Sequence, residues 1–222
     1  MKPVLIAAFV LLPCAAWAQT TANLPATYGE VALGASFLSS VTTDTYSFTY
    51  GANSATGKIK LGYDTAVTAG VEMGVAGVGM PEIRLGVGYE YLPARFSSAT
   101  VVGTINGVAS SATVSRAQVE GAGLTLDNDV HLVTGNAYYS LPLVGPVRPY
   151  VGLGVGAAII QNADTQLALT GTLGVRAALS DQAYVGLRYR FYRIEGPTDS
   201  LGISYSAITN QSVMALLGFY MD

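Results

Sequence analysis

The chain has one histidine, His131, standing two residues after Asp129. An imidazole backed by a carboxylate is a general base that can activate a hydroxyl nucleophile. The run His131-Leu132-Val133-Thr134 offers no serine two residues on. The base therefore has nothing to activate at that spacing, and His131 reads as an interfacial side chain near a strand end. With one histidine and one cysteine, Cys14, the chain cannot build a nitrogen–sulfur metal cluster. Asp127 and Asp129 flank Asn128 and could hold a cation weakly, but the three read more simply as a solvated turn. Gly152-x-Gly154-x-Gly156 is not a phosphate loop, because it lies in a strand pattern with no helix after it. These residues predict no catalytic group, no metal and no cofactor. Ion pairing is the chemistry that remains. Glu30, Glu72, Arg84, Glu90, Arg176, Arg188 and Arg190 each fall on the small or polar face of an otherwise apolar stretch, and the set is close to neutral.

The stretches that carry these charges have a period of two, which sends alternate side chains to opposite faces of a strand. In 82–91, Ile83, Leu85, Val87, Tyr89 and Tyr91 oppose Arg84, Gly86, Gly88 and Glu90. In 183–192, Val185, Leu187, Tyr189 and Phe191 oppose Tyr184, Gly186, Arg188 and Arg190. In 147–160, Val151, Leu153, Val155 and Ile159 oppose Tyr150, Gly152, Gly154 and Gly156. Segments 28–37, 65–76 and 166–179 follow the same rule, while 130–140 and 211–221 are apolar on both faces. Each segment is about ten residues long, the length a tilted strand needs to cross a bilayer. Lipid cannot satisfy an open sheet edge, so the strands must be even in number and closed. The predicted fold is all-β: an eight-stranded antiparallel transmembrane β-barrel in an up-and-down meander.

Connections 77–81, 142–146 and 180–182 are short, whereas 38–64, 92–129, 161–165 and 193–210 are mostly longer. That alternation fits short periplasmic turns and longer external loops. Asn106-Gly107 lies between two β-prone runs and favours a type I′ hairpin, so 92–129 is expected to rise as a ribbon, and 51–57 could do the same. Ribbons that entered the bilayer would raise the count to ten or twelve strands.

Composition decides which face is outward. The 222 residues include only 11 Lys+Arg and 14 Asp+Glu, for a net charge of −3, with a mean hydropathy of +0.41. Too few charges exist to solvate the outside of a soluble barrel, and no basic cluster exists to grip nucleic acid. No apolar run past the first 20 residues approaches the roughly 18 that a spanning helix needs. An Arg on the lipid face at mid-bilayer would cost about 2–4 kcal/mol, so the four strand arginines turn inward. A small barrel's interior is just wide enough for side chains to fill it, and the glycines opposite make room. The expectation is a lumen plugged by Glu–Arg pairs. Tyr28, Phe37, Tyr91, Phe96, Tyr138, Tyr139, Tyr150, Phe191, Tyr192, Phe219 and Tyr220 lie near segment ends and suit interfacial girdles.

Residues 1–18 read as a secretory signal: Lys2 gives the positive start, Val4 to Leu12 the apolar core, and Ala16-Trp17-Ala18 the cleavage pattern before Gln19. The barrel domain is then 19–222. Cleavage removes Cys14 and leaves no disulfide or thiolate ligand.

Residues 136–157, with the pattern Asn-x-Tyr-Tyr…Pro-Tyr-x-Gly-x-Gly-x-Gly, resemble the outer-membrane β-barrel domain family that includes the OmpA transmembrane domain, Opa-type adhesins and bacterial surface antigens. Asp164 to Asp181, Tyr184 to Phe191 and Ser212 to Tyr220 are similar to later strands of that family. The resemblance implies a bacterial outer-membrane location, eight strands, and variable external loops that contact a host or the environment. It also implies that outer-membrane lipids and the outer-membrane assembly machinery are partners. Members usually end on an aromatic residue, whereas this sequence closes Phe219-Tyr220-Met221-Asp222. The expected function is a non-enzymatic, monomeric anchor for surface loops serving adhesion, antigen display or envelope integrity, with no nucleic-acid partner. A narrow pore and a lipid A-modifying enzyme are the alternatives. The enzyme reading needs a His-x-Ser pair at the membrane edge, which His131 does not form.

Overall fold

A computed structural model describes residues 26–50, 53–142, 147–198 and 202–221. The signal segment 1–18 and most of the 142–146 turn lie outside the described residues. In chain order the elements are β1 (Ala26–Leu38), β2 (Val41–Thr42), β3 (Tyr46–Tyr50), β4 (Asn53–Asp64), β5 (Ala66–Ala76), β6 (Ile83–Ile105), β7 (Val108–Ser115), α1 (Arg116–Gly121), β8 (Asn128–Ser140), β9 (Val147–Ile160), β10 (Gln166–Ala178), β11 (Ala183–Ile194) and β12 (Ile208–Met221). Eight of these strands pair in one antiparallel ring. It runs from β1 to β5, β6, β8, β9, β10, β11 and β12, and β12 returns to β1 with Val31 opposite Leu217. Closure leaves no edge in the ring, as lipid requires.

The ribbons rise from the ring without joining it. β6 is 23 residues long, about twice a crossing length. Its upper half pairs with β4 on one side and β7 on the other, and β3 pairs with the far side of β4. The β6–β7 hairpin turns at Asn106 and Gly107, whose φ values of 50° and 79° are the pair of positive angles a type I′ turn demands. The Asn106 side chain also accepts the Ser54 amide at 2.9 Å and donates to Asn53 Oδ1 at 2.8 Å, which ties this tip to β4. A register shift at Gly62/Tyr63 bends β4 where the external sheet meets the ring.

Side-chain alternation splits each ring strand into two environments. Outward positions are large, apolar and open, including Val31, Leu33, Val71, Val87, Leu153, Leu169, Leu187 and Val213. Inward positions are buried, and they form two layers. Toward the ribbons, Leu92, Leu132, Ile160, Tyr192, Ile194 and Ile208 pack with Val41 of β2 into an apolar cluster. Toward the short turns, the buried inward residues are mostly charged, polar or tyrosine. Expecting ion pairs alone to fill the lumen missed the apolar layer. Val130 and Leu132 stand in segment 130–140, where both faces are apolar and parity carries no contrast, and Leu92, Ile160, Ile194 and Ile208 stand at or beyond the segment ends.

Candidate functional site

Four strands supply the charge cluster in the polar half of the lumen. β1 brings Glu30, β5 brings Glu72, β6 brings Arg84 and Glu90, and β11 brings Arg188 and Arg190. Glu30 and Glu72 are direct cross-strand partners, a repulsive placement that the opposite wall must compensate. Arg84 reaches Glu30 Oε2 at 3.1 Å, and Arg188 reaches Glu30 Oε1 at 3.1 Å. Arg188 also contacts Glu90 at 3.2 Å and lies 3.8 Å from Glu72. Arg190 contacts Glu90 at 2.9 Å and Glu72 at 3.4 Å. These side chains are all 1–3% exposed, and three acids meet three bases. Buried charges are tolerable only when paired and hydrogen-bonded.

Tyrosines supply further hydrogen bonds. Tyr28 donates to Glu72 at 2.7 Å, Tyr184 donates to Glu30 at 2.7 Å, and Tyr138 and Tyr192 donate to Glu72 and Glu90. Asn136 adds an amide donor to Glu72 at 3.0 Å. Three of the lumen tyrosine rings lie against strand glycines. A Cβ at Gly152 would sit 2.3 Å from the Tyr138 ring, one at Gly174 would sit 2.4 Å from Tyr150, and one at Gly218 would sit 2.2 Å from Tyr184.

This placement corrects the girdle expectation for six aromatics. Tyr28, Phe96, Tyr138, Tyr150 and Tyr192 are buried, and Tyr220 turns inward to accept a hydrogen bond from Arg176. Tyr28 lies two residues before Glu30, and Tyr150 shares a face with Gly152 and Gly154, so strand parity already marked both as inward. Phe37, Tyr139, Phe191 and Phe219 do face outward.

Arg176 stands apart from the other six charges. It is buried, yet among the described residues no carboxylate approaches its guanidinium within 4.0 Å. It donates to Ser140 Oγ at 2.7 Å and to the Tyr220 hydroxyl at 3.3 Å, with its charge over the faces of Tyr150 and Tyr184. The expected near-balance of three acids and four bases thus resolves into a neutral six-charge cluster plus one arginine held by neutral groups.

His131 lies on the outer face, where the Tyr89 hydroxyl meets its Nδ1 at 2.7 Å. Asp129 accepts from the Tyr91 hydroxyl at 2.7 Å and does not back the imidazole. Asp127 is not the solvated turn residue expected. It accepts the Phe96 amide at 2.8 Å and binds Arg116 at 2.8 Å and Arg95 at 3.4 Å, clamping α1 onto the base of the ribbon. Burial pulls its carboxyl pKa upward, but the Phe96 amide and the two arginines outweigh that and hold it below the ordinary carboxylate value. Nearby, burial pushes the Tyr63 phenol up to about 12.

The lumen is therefore closed by a paired charge layer under an apolar layer, inside an outward apolar wall. A family model described as an outer membrane protein beta-barrel domain matches residues 4–213. The chain belongs to that family. As an outer-membrane barrel it sits in the bacterial outer membrane with its apolar wall against lipid, and its short turns face the periplasm. Among solved structures, Neisserial surface protein A is 15% identical, with a TM-score of 0.52 over 88% of this chain and 97% of that one, a likeness of fold. OprG from Pseudomonas aeruginosa is 14% identical, with a TM-score of 0.44 over 89% of this chain and 97% of that one. An uncharacterized protein of Brucella abortus is 36% identical over 83 residues, and the match spans 28% of this chain and 29% of that protein.

Proposed function

We propose that this outer-membrane barrel is a sealed, non-enzymatic anchor whose work is done by the external sheet of β3, β4, β6 and β7, through contact with surfaces outside the cell. The observation that carries this reading is the combination of a blocked lumen with a 23-residue β6 that continues past the ring. Tyr192 joins the two lumen layers, since it packs in the apolar cluster while its hydroxyl binds Glu90. Such a plug resists conduction, because opening it would separate buried ions at a cost of several kcal/mol. Above it, every residue of β7 is exposed, and Val101, Val102, Ile105 and Val108 present apolar surface to the outside.

The barrel is read as a monomer inserted by the outer-membrane assembly machinery, and the loops' target as a host or environmental surface. The test replaces 101–112 with a two-residue turn, keeping the Thr100–Thr113 pair as the new hairpin end. Loss of attachment to host cells or abiotic surfaces, with surface expression and barrel folding retained, supports the reading. Unchanged attachment overturns it. Conductance of the intact protein in planar bilayers would favour the narrow pore.

A further inference from the structure

At its periplasmic end the lumen opens into a cavity of about 300 Å³. Arg148 on β9 and Arg176 on β10 both line it, and they are direct cross-strand partners. Like charges opposite one another on a sheet repel, so this placement weakens the barrel unless something compensates it. Among the described residues no carboxylate comes within 4.0 Å of either guanidinium. Arg84, in the same wall, is already neutralised by Glu30. Asp181 at the rim is one acid against two bases. Arg176 is only 6% exposed. Its Nε is buried, as is the Tyr150 hydroxyl beside it, and neither has a hydrogen-bond partner among the described residues. A buried charge held only by neutral groups and ring faces remains attractive to an anion.

We propose that this cavity binds a phosphate-bearing ligand from the periplasmic side, with Arg148 and Arg176 as its two cationic arms. This reaches beyond display by the external sheet and does not depend on it. Guanidinium forks match phosphate oxygens in geometry and charge, and two residues that carry them line one space, Arg148 exposed and Arg176 buried. The Ser140 hydroxyl accepts from Arg176, which leaves its own hydrogen to donate. The volume is at the lower end of small-molecule sites, about 300 Å³, so it holds more than a bare phosphate ion. Either a soluble phosphomonoester or the headgroup of an inner-leaflet phospholipid carries the required chemistry.

The test uses the full mature barrel folded in detergent, with its arginine side-chain Nε–H resonances followed by NMR. Inorganic phosphate and glycerol phosphate are titrated separately, each against chloride at equal ionic strength. The expected result is a saturable shift at Arg176 and Arg148, stronger for glycerol phosphate. R148Q should weaken it about tenfold, the loss of one charge-assisted contact. R176K should retain part of it, and R193Q at the opposite end should leave it unchanged. A second arm places the barrel in nanodiscs and reads lipid retained in native mass spectra. Retention of anionic phospholipid that R148Q abolishes identifies a headgroup as the source, and its absence with intact glycerol phosphate binding identifies a soluble ligand. No saturable shift with either probe, or equal binding by R148Q, overturns the proposal.

Discussion

Arg190 and Glu90 are 100 residues apart in the chain and 2.9 Å apart in the lumen, each almost wholly buried. Glu90 also holds Arg188 at 3.2 Å and accepts from Tyr192, so one carboxylate compensates two guanidiniums. E90Q keeps the shape and removes the charge. It should destabilise the barrel by about 3–5 kcal/mol, the cost of stranding a buried charge. Urea titration of folding in vesicles measures this. The double variant E90Q/R190M should recover part of the loss, because it removes a stranded cation as well, whereas simple additivity would show that the two side chains do not interact.

The rings of the lumen tyrosines lie on the backbone of neighbouring strands, and this sets a second expectation. A Cβ at Gly218 would come within 2.2 Å of the Tyr184 ring, which in turn donates to Glu30. G218A should therefore cost about 1–3 kcal/mol by overpacking. Truncating the ring in the same chain, as G218A/Y184L, should relieve the crowding while costing the hydrogen bond. A Cβ at Gly171 would meet nothing within 4 Å, so G171A is the matched control. It should fold like the parent in the same vesicle titration.

Strand number and ring order were legible in the sequence because a period of two is a strong signal wherever one face is apolar and the other is small or charged. Residues 82–91 show this contrast in full, and β6 follows it from Ile83 onward. Tyrosine was harder to read. It is amphipathic enough for either a membrane interface or a lumen, and position near a segment end favours the first while parity favours the second. For Tyr28 and Tyr150 parity prevails: the carboxylate network takes the Tyr28 hydroxyl as a donor, and Gly174 leaves room for the Tyr150 ring. The clamp at Asp127 was invisible for another reason. Its partners, the Phe96 amide and Arg116, become neighbours only once the ribbon has folded back on itself.

Acid should release that clamp before it unfolds the ring. The Asp127 carboxyl has a folded pKa below its ordinary value of 3.8. A depressed carboxylate contributes stability that is fully present above the ordinary value and is lost as the pH falls through the lower, folded one. Amide hydrogen exchange across α1 and 122–127 should therefore stay slow down to about pH 4 and quicken below it. D127N should exchange faster already at neutral pH, with no such acid step. An acid step of the same size in D127N would place the responsible group elsewhere.

The hairpin tip tests whether the external sheet depends on its turn. Gly107 has a φ of 79°, where a side chain costs roughly 1–2 kcal/mol. G107V should loosen the β6–β7 ribbon locally, and proteolysis near the tip should quicken while the ring remains folded in vesicles. Equal protease resistance would mean that pairing with β4 alone holds the ribbon.

Leu153 bears on the orientation of the whole molecule. It is 75% exposed, near the middle of β9, and flanked across the ring wall by Ala137 and Gly171. Were that wall wet, L153R would be a surface change worth within about 0.5 kcal/mol. Against acyl chains the same arginine should cost about 2–4 kcal/mol at the bilayer midplane, while L153A should cost far less. Folding titrations of both variants into vesicles separate the two cases. The contrast should shrink for an arginine placed at Val147, because the penalty falls to about 0–1 kcal/mol near the interface. A penalty that ignores depth would mean local packing, not lipid, is being measured.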